Sequence, residues 1–369
     1  MFLADGAGFG VWAAHVAVFK HDLALSDGRL TFVLLAVIVG AIVMMPLAGR
    51  VLTRTSSRAV IRVSAPCYFL TLLLLAQTRS LTQLMVAAAL FGAAKGATDV
   101  AINAHVFAVE AVYQKPMQGL FQGAWSTGGL IAAVASAQML HWGGTRCIDL
   151  SATACLLLVA AVLALPALIA ERVQKPASRA KRGFRLPEPF LLQLALITAC
   201  GMLCEGSIAD WASVYLHARV HVSLAQAAGG YAAFCISMAS MRYASDWLVR
   251  ALSPRQVLQG GGLLIAVGIG CATAFPYWVP ALIGFMLAGM GIAVLVPVTF
   301  GLVGRNAKEN AGQAISTMST ISWGGFLSGP PLIGSLTVLV GLRGALLVVV
   351  VAGLTIAGGA SYVLRASRA

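Results

Sequence analysis

The stretch Leu81 to Tyr113, LTQLMVAAALFGAAKGATDVAINAHVFAVEAVY, has the length of one tilted membrane helix and yet carries Lys95, Asp99, Asn103, His105 and Glu110. A charged group at the centre of a bilayer costs roughly 2.5 to 3.5 kcal/mol on insertion scales, so such residues turn toward a bundle interior or a water-filled cavity. At about 100° per residue, Asp99, Asn103 and Glu110 share a narrow arc with Gly92 and Gly96, leaving the opposite face apolar. Lys95 precedes Asp99 by one helical turn, the spacing at which an ammonium and a carboxylate meet. Two readings of that pair are open: it holds Asp99 ionised for work on a polar solute, or it only fixes helix packing.

A second pair of carboxyls lies in CEGSIADWASVYL, where Glu205 and Asp210 stand five residues apart. That is about 140° around a regular helix, so both reach one cavity only where the helix opens near Gly206. A carboxyl shielded from water exchanges protons closer to neutral pH than an exposed one. Glu205 is therefore the first candidate for carrying a proton and Asp99 the second, against the alternative of a Glu205 that is hydrogen-bonded permanently in the core. Trp12, Trp125, Trp211 and Trp323 are stacking platforms or gates for a ring-shaped solute, or else plain packing. His15 and His105 are proton relays or hydrogen-bonded core histidines. The chain has no GxxxxGK[ST] phosphate loop, metal-ligand cluster or nucleophilic triad, so neither a cofactor nor a metal is expected and work must come from a gradient.

The elements that position these groups follow from composition. Apolar residues make up 59% of the chain and charged residues 10%, and the mean hydropathy is +0.89. Those values exclude an ordinary soluble domain and describe an all-α polytopic membrane protein. Windows of about twenty residues give helices near Met1 to Phe19, Thr31 to Ala48, Val60 to Leu75, Leu81 to Val109, Met117 to Leu140 and Ile148 to Ala170. A further set lies near Phe190 to Leu216, Ala225 to Leu248, Val257 to Phe275, Pro280 to Val303, Ala311 to Val340 and Arg343 to Leu364. The prediction is twelve transmembrane helices in two halves, residues 1–170 and 190–369, joined by a basic, proline-containing linker at 171–189.

The net charge of +13 reports topology rather than nucleic-acid binding. With the amino terminus inside, inner loops and tail hold 17 of the 25 Lys and Arg, and outer loops hold six. That asymmetry places both termini in the cytoplasm of a bacterial inner membrane. Seven cysteines, an odd number scattered through apolar helices, form neither a disulfide framework nor a metal site.

The halves repeat. Asp5-Gly6 followed by Trp12-Ala13 echoes Glu205-Gly206 followed by Trp211-Ala212, and FQGAWSTGGLIAA (121–133) echoes STISWGGFLSGPPLIG (319–334). Basic loops follow the second and eighth helices, at 46–62 and 241–257. Glu205 comes fifteen residues after Phe190 while Asp5 comes four after Met1, so a strict repeat implies a first helix short by about eleven residues at its front, with a start codon upstream. Pro330-Pro331 should break or kink the eleventh helix.

Taken together, GAAKGATDVAINAHVFAVE (92–110), MQGLFQGAWSTGGL (117–130), EGSIADWASVYL (205–216), GYAAFCISM (230–238) and FLSGPPLIG (326–334) resemble the major facilitator superfamily, and within it the MosC- and YbjJ-like bacterial group. The resemblance implies two six-helix bundles related by a pseudo-two-fold axis, alternating access, and a cavity lined by helices one, four, seven and ten. It assigns Asp5, Trp12, Lys95, Asp99, Asn103, Trp125 and Trp211 to solute binding, Glu205, Asp99 and Asp210 to proton coupling, and Arg54, Arg58, Arg242, Asp246 and Arg250 to gating. The sequence departs from the group's pattern at Thr53 and Ser56 in the gate loop, and at Asp5, Lys95 and Gln122. The implied activity is proton-coupled secondary transport of a small polar solute, sugar-like, polyol or amino-bearing, by a monomer whose partners are that solute, protons and the lipid bilayer. Export of toxic compounds by the same fold, and a non-transporting sensor or scaffold derived from it, are the other readings.

Overall fold

A computed structural model describes residues 1–52, 54–114, 117–169, 189–306 and 311–366. Every regular element among them is helical. The first unit contains α1 (Phe2–Asp22), α2 (Asp27–Leu52), α3 (Ser57–Ala76), α4 (Leu81–Tyr113), α5 (Gln118–His141) and α6 (Arg146–Ala164), the last extended by a short 3-10 turn, Leu165–Ala167. The second contains α7 (Pro189–Arg219), α8 (Leu224–Ala251), α9 (Pro254–Ala274), α10 (Trp278–Ala293), α11 (Leu295–Asn306) and α12 (Ala311–Ala366). Helix starts are written into the polar turns. Ser56, Ser80 and Thr145 each accept a hydrogen bond from the backbone N–H three residues on, and Ser223 with Gln226 and Ser253 with Gln256 close reciprocal capping boxes.

Nine helical stretches among the described residues are long and apolar enough to cross a membrane by length and composition. One of them, Thr317–Val363, has 47 residues. At 1.5 Å per residue it would run about 70 Å, more than twice a hydrocarbon core of about 30 Å. It is two passages, and Gly341 (φ 73°, ψ 163°) makes the turn between them, a conformation open to glycine and strained for other residues. In contrast, α10 and α11 join at Val294 as one passage, Trp278–Val303. With α5 and α8, whose glycines, serines and glutamines lower their hydropathy, each half has the six passages expected from sequence.

The chain divides into two compact units, Met1–Gly183 and Phe184–Ala369, and their internal packing repeats. In the first, α1 lies on α5, α2 on α4 and α3 on α6. In the second, α7 lies on the passage at 311–340, α8 on α10 and α9 on the passage at 342–366. Glycines set the closest approaches. A Cβ on Gly6 would sit 1.9 Å from the Trp125 carbonyl oxygen, and one on Gly128 1.9 Å from that of Leu3. The counterparts are Gly206 at 2.4 Å from the Phe326 oxygen and Gly329 at 2.5 Å from the Leu203 oxygen. Residues 3 and 6 thus correspond to 203 and 206, an offset of 200, and residues 125 and 128 to 326 and 329, an offset of 201. The register matches Asp5 with Glu205 as the sequence suggested, but pairs Trp125 with Phe326 rather than Trp323, and displaces Trp12 from Trp211 by one residue.

Pro330 and Pro331 leave α12 helical; within it only Gly341 departs from helical φ and ψ. A proline withdraws the donor for the carbonyl four residues earlier. Here the Phe326 carbonyl so freed faces Gly206 of α7, while the Trp211 indole N–H donates to the Pro330 oxygen at 3.0 Å. Helix α7 thus packs closely against this stretch and donates one side-chain hydrogen bond to it. The linker expected at 171–189 lies outside the described residues except for Pro189, which opens α7; Thr53 and Lys115 also lie outside them.

Candidate functional site

The first unit brings three buried charged side chains together from two helices. Asp5 of α1 is 1% exposed, and Lys95 and Asp99 of α4 are 8% and 6% exposed. Lys95 Nζ donates to Asp5 Oδ2 at 3.0 Å and also to Asp99 Oδ1. The second contact is the one-turn pair read from the sequence; the first reaches across to another helix. Trp125 of α5 adds its indole N–H to Asp5 Oδ2 at 2.8 Å, which the Gly6 and Gly128 contacts between α1 and α5 make possible by bringing the helices together. Asp5 Oδ1 is buried with no hydrogen-bond partner. Around the ammonium stand the rings of Phe9 and Trp125, at 5.9 and 5.7 Å from their centroids, where ring quadrupoles attract a cation. Two carboxylates against one ammonium give a net charge of minus one if all three are ionised.

The second unit solves the same problem differently. Glu205, the counterpart of Asp5, is 4% exposed and lies on Arg242 of α8, whose Nη2 is 3.2 Å from Oε1 and 3.4 Å from Oε2. One carboxylate meets one guanidinium, so this pair is balanced. Arg242, assigned to a gate by resemblance, is 8% exposed and lies inside the bundle against α7. Asp210 is also buried. Helix α7 runs unbroken through Gly206, so the opening that Glu205 and Asp210 would need to face one cavity is not present there.

The other expected site residues differ in burial and in what they contact. Trp12 is 1% exposed and packs against Phe19 and Phe91, and Trp211 is fully buried on Pro330; both are core residues of their units. Asn103 donates to the Asp99 carbonyl oxygen at 2.9 Å, one turn from the triad. His105 Nδ1 meets Ser57 Oγ at 2.7 Å and ties α4 to α3. Trp323 stacks edge-on with Phe326. Arg54 is exposed, and Arg58 reaches the Pro166 carbonyl at 3.5 Å. Asp246 and Arg250 fall within α8, and their side chains are not among those described. Sequence reasoning did not find the cross-helix partners of Asp5 and Glu205. The available signal was charge balance: a buried cation implies a buried anion within reach. Among the described residues, no group of three or more His, Cys, Asp or Glu is arranged to hold a metal ion.

The sequence matches the family model described as Major Facilitator Superfamily over residues 1–271. It is 32% identical over 366 residues to an uncharacterized MFS-type transporter of Yersinia pestis, covering 99% of this chain and 94% of that one. It is 28% identical over 356 residues to membrane protein MosC of Rhizobium meliloti, covering 96% and 86%. Among solved structures it is similar to an inward-facing bacterial homolog of the human lysosomal transporter Spinster, with a TM-score of 0.75 over 99% of this chain and 95% of that one. At 14% identity that likeness speaks for the fold.

Proposed function

The chain belongs to the Major Facilitator Superfamily, and from that premise we propose that it moves a small polar solute across the bacterial inner membrane by alternating access, coupled to protons, as a monomer with both termini cytoplasmic. The observation that carries the reading is the triad of Asp5, Lys95 and Asp99. A fully ionised triad holds one negative charge too many for so buried a site, and such a charge is costly unless paired. Taking up one proton, or the cationic or hydrogen-bonding part of a solute, restores the balance. Proton and solute thereby compete for, or share, one set of oxygens, which is the requirement for coupling a gradient to transport. The unpartnered Asp5 Oδ1 is the acceptor we assign to that exchange.

On this reading the coupling proton belongs to Asp5 and Asp99 ahead of Glu205, whose charge Arg242 already meets. Asp210 is kept as a further acidic group in α7. Trp125 positions Asp5, and Asn103 with the triad makes the polar surface for a sugar-like, polyol or amino-bearing solute. Arg54 in the loop after α2 and Arg58 in the first turn of α3 remain the gate residues, with Asp246 and Arg250 in the second half. The test is ligand-dependent thermal stabilisation of the purified protein by polyols, amino sugars and amino acids. A stabilising solute whose effect vanishes in Asp99→Asn supports the assignment; a solute that stabilises Asp99→Asn and wild type equally removes the triad from the binding site.

A further inference from the structure

The seam between α1 and α6 holds ionisable groups that the triad does not touch. His15 lies ten residues along α1 from Asp5 and is fully buried; Asp149, in the first turn of α6, is 4% exposed. His15 Nε2 and Asp149 Oδ2 are 3.5 Å apart, and neither atom has a hydrogen-bond partner. The other ring nitrogen, Nδ1, lies 2.9 Å from the Val11 carbonyl oxygen. A carbonyl only accepts, so Nδ1 carries a hydrogen, and a neutral ring then turns the Nε2 lone pair outward. That lone pair faces an oxygen which, in an ionised carboxylate, also only accepts. Two buried acceptors facing each other repel, and both go unsatisfied. One added proton turns the same contact into a charge-assisted hydrogen bond.

The surrounding charges leave room for that proton. The charged groups near His15 along this seam include Asp149 and Arg146 of α6 and Asp22 of α1. Arg146 Nη1 is 3.7 Å from Asp22 Oδ2, its Nη2 donates to the Thr78 carbonyl at 2.7 Å, and its guanidinium lies 5.0 Å from the Phe19 ring centroid. Asp22, which Arg146 meets, also faces His21 Nδ1 at 3.3 Å at the exposed end of α1, so the buried carboxylate of Asp149 is the charge that an imidazolium at His15 offsets. Positions 15, 19 and 22 share a face of α1, and positions 146 and 149 a face of α6, so the groups form a ladder along one seam.

We infer that His15 and Asp149 form a proton-binding site, with the proton on His15 Nε2 and the imidazolium–carboxylate contact closing α1 onto α6, separate from the Asp5–Lys95–Asp99 triad. Helix α1 then has a charged contact to α4 near its start and a proton-dependent contact to α6 farther along. Occupancy of the second site sets how firmly the α1–α6 seam is held.

The experiment is nitrogen NMR of the full-length protein in detergent micelles with 15N-labelled histidine rings, titrated from about pH 8 to about pH 5, the range in which imidazoles change charge. The His15 signals are identified by their absence in His15→Gln. The expected result is a His15 ring carrying hydrogens on both nitrogens within that range, lost from it in Asp149→Asn and retained in Asp149→Glu. A ring whose Nε2 stays bare at every pH in the wild type overturns the site, as does a doubly protonated ring with the same titration in Asp149→Asn. Where Asp149→Asn does not accumulate, the wild-type titration decides alone, double protonation supporting the site and a permanently bare Nε2 removing it.

Discussion

Lys95→Met removes the ammonium that faces Asp5 and Asp99 while keeping an unbranched, mostly apolar side chain of similar reach. At an effective dielectric of about 20, a unit charge pair at the observed 3.0 Å attracts by about 5 to 6 kcal/mol, less the cost of having desolvated the lysine. Measured losses on removing one member of a buried pair run to about 3 to 5 kcal/mol. For a unit of this size that lowers the unfolding temperature by roughly 6 to 20 °C at pH 7. The loss should shrink in acid. The stranded carboxyls take up protons in the folded state that the unfolded chain, with its aspartates still ionised, does not. The native state then binds more protons than the unfolded one, and stability rises as pH falls. Each proton taken up returns as much as about 2.7 kcal/mol between pH 7 and pH 5. The assay is thermal unfolding of wild type and variant in the same detergent at both pH values. A triple variant, Lys95→Met with Asp5→Asn and Asp99→Asn, is expected to recover most of the loss at either pH, because no charge is left unpaired. A Lys95→Met protein as stable as the wild type, or equally destabilised at pH 7 and pH 5, refutes the reasoning.

Arg242→Leu should strand Glu205 and cost about 3 to 5 kcal/mol, with Glu205→Leu added in the same chain recovering most of it in chemical or thermal unfolding. Gly6→Ala drives a methyl group into the Trp125 carbonyl. It should lower stability by about 1 to 3 kcal/mol and weaken solute stabilisation too, since the displaced Trp125 indole no longer reaches Asp5. A cytoplasm-active reporter fused after the last residue should be active; activity of a periplasmic reporter at the same point overturns the orientation read from the loop charges.

Helices were legible because lipid-facing and core-facing residues are both apolar, so each passage is written as a run of hydrophobic residues interrupted by polar turns. The turn at Gly341 was legible as the gap between the apolar runs ending near Val340 and beginning near Arg343, but the join at Val294 was not, since no polar residue marks it. The Lys95–Asp99 pair follows from helical geometry alone. Asp5 and Lys95 do not, because they are 90 residues apart and only the α1, α4 and α5 packing brings them together. Arg242 was assigned to a gate by resemblance, and the sequence did not show that its side chain turns back to Glu205 on the preceding helix. Pro330-Pro331 was read as a break or kink; no break occurs there, and the sequence could not show that Gly206 and Trp211 of α7 pack beside this stretch. The match of Asp5 with Glu205 was legible as a repeat; that their cations come from α4 in one unit and α8 in the other was not, since the repeated halves no longer share those side chains.

Coupled transport through the triad is tested most directly in proteoliposomes that contain a pH-sensitive dye and are given, one at a time, the solutes that stabilise the purified protein. The expected result is solute entry accompanied by proton movement in the wild type, with the proton movement lost in Asp5→Asn and in Asp99→Asn. Solute entry with no accompanying proton movement, or proton movement undiminished in both variants, contradicts it.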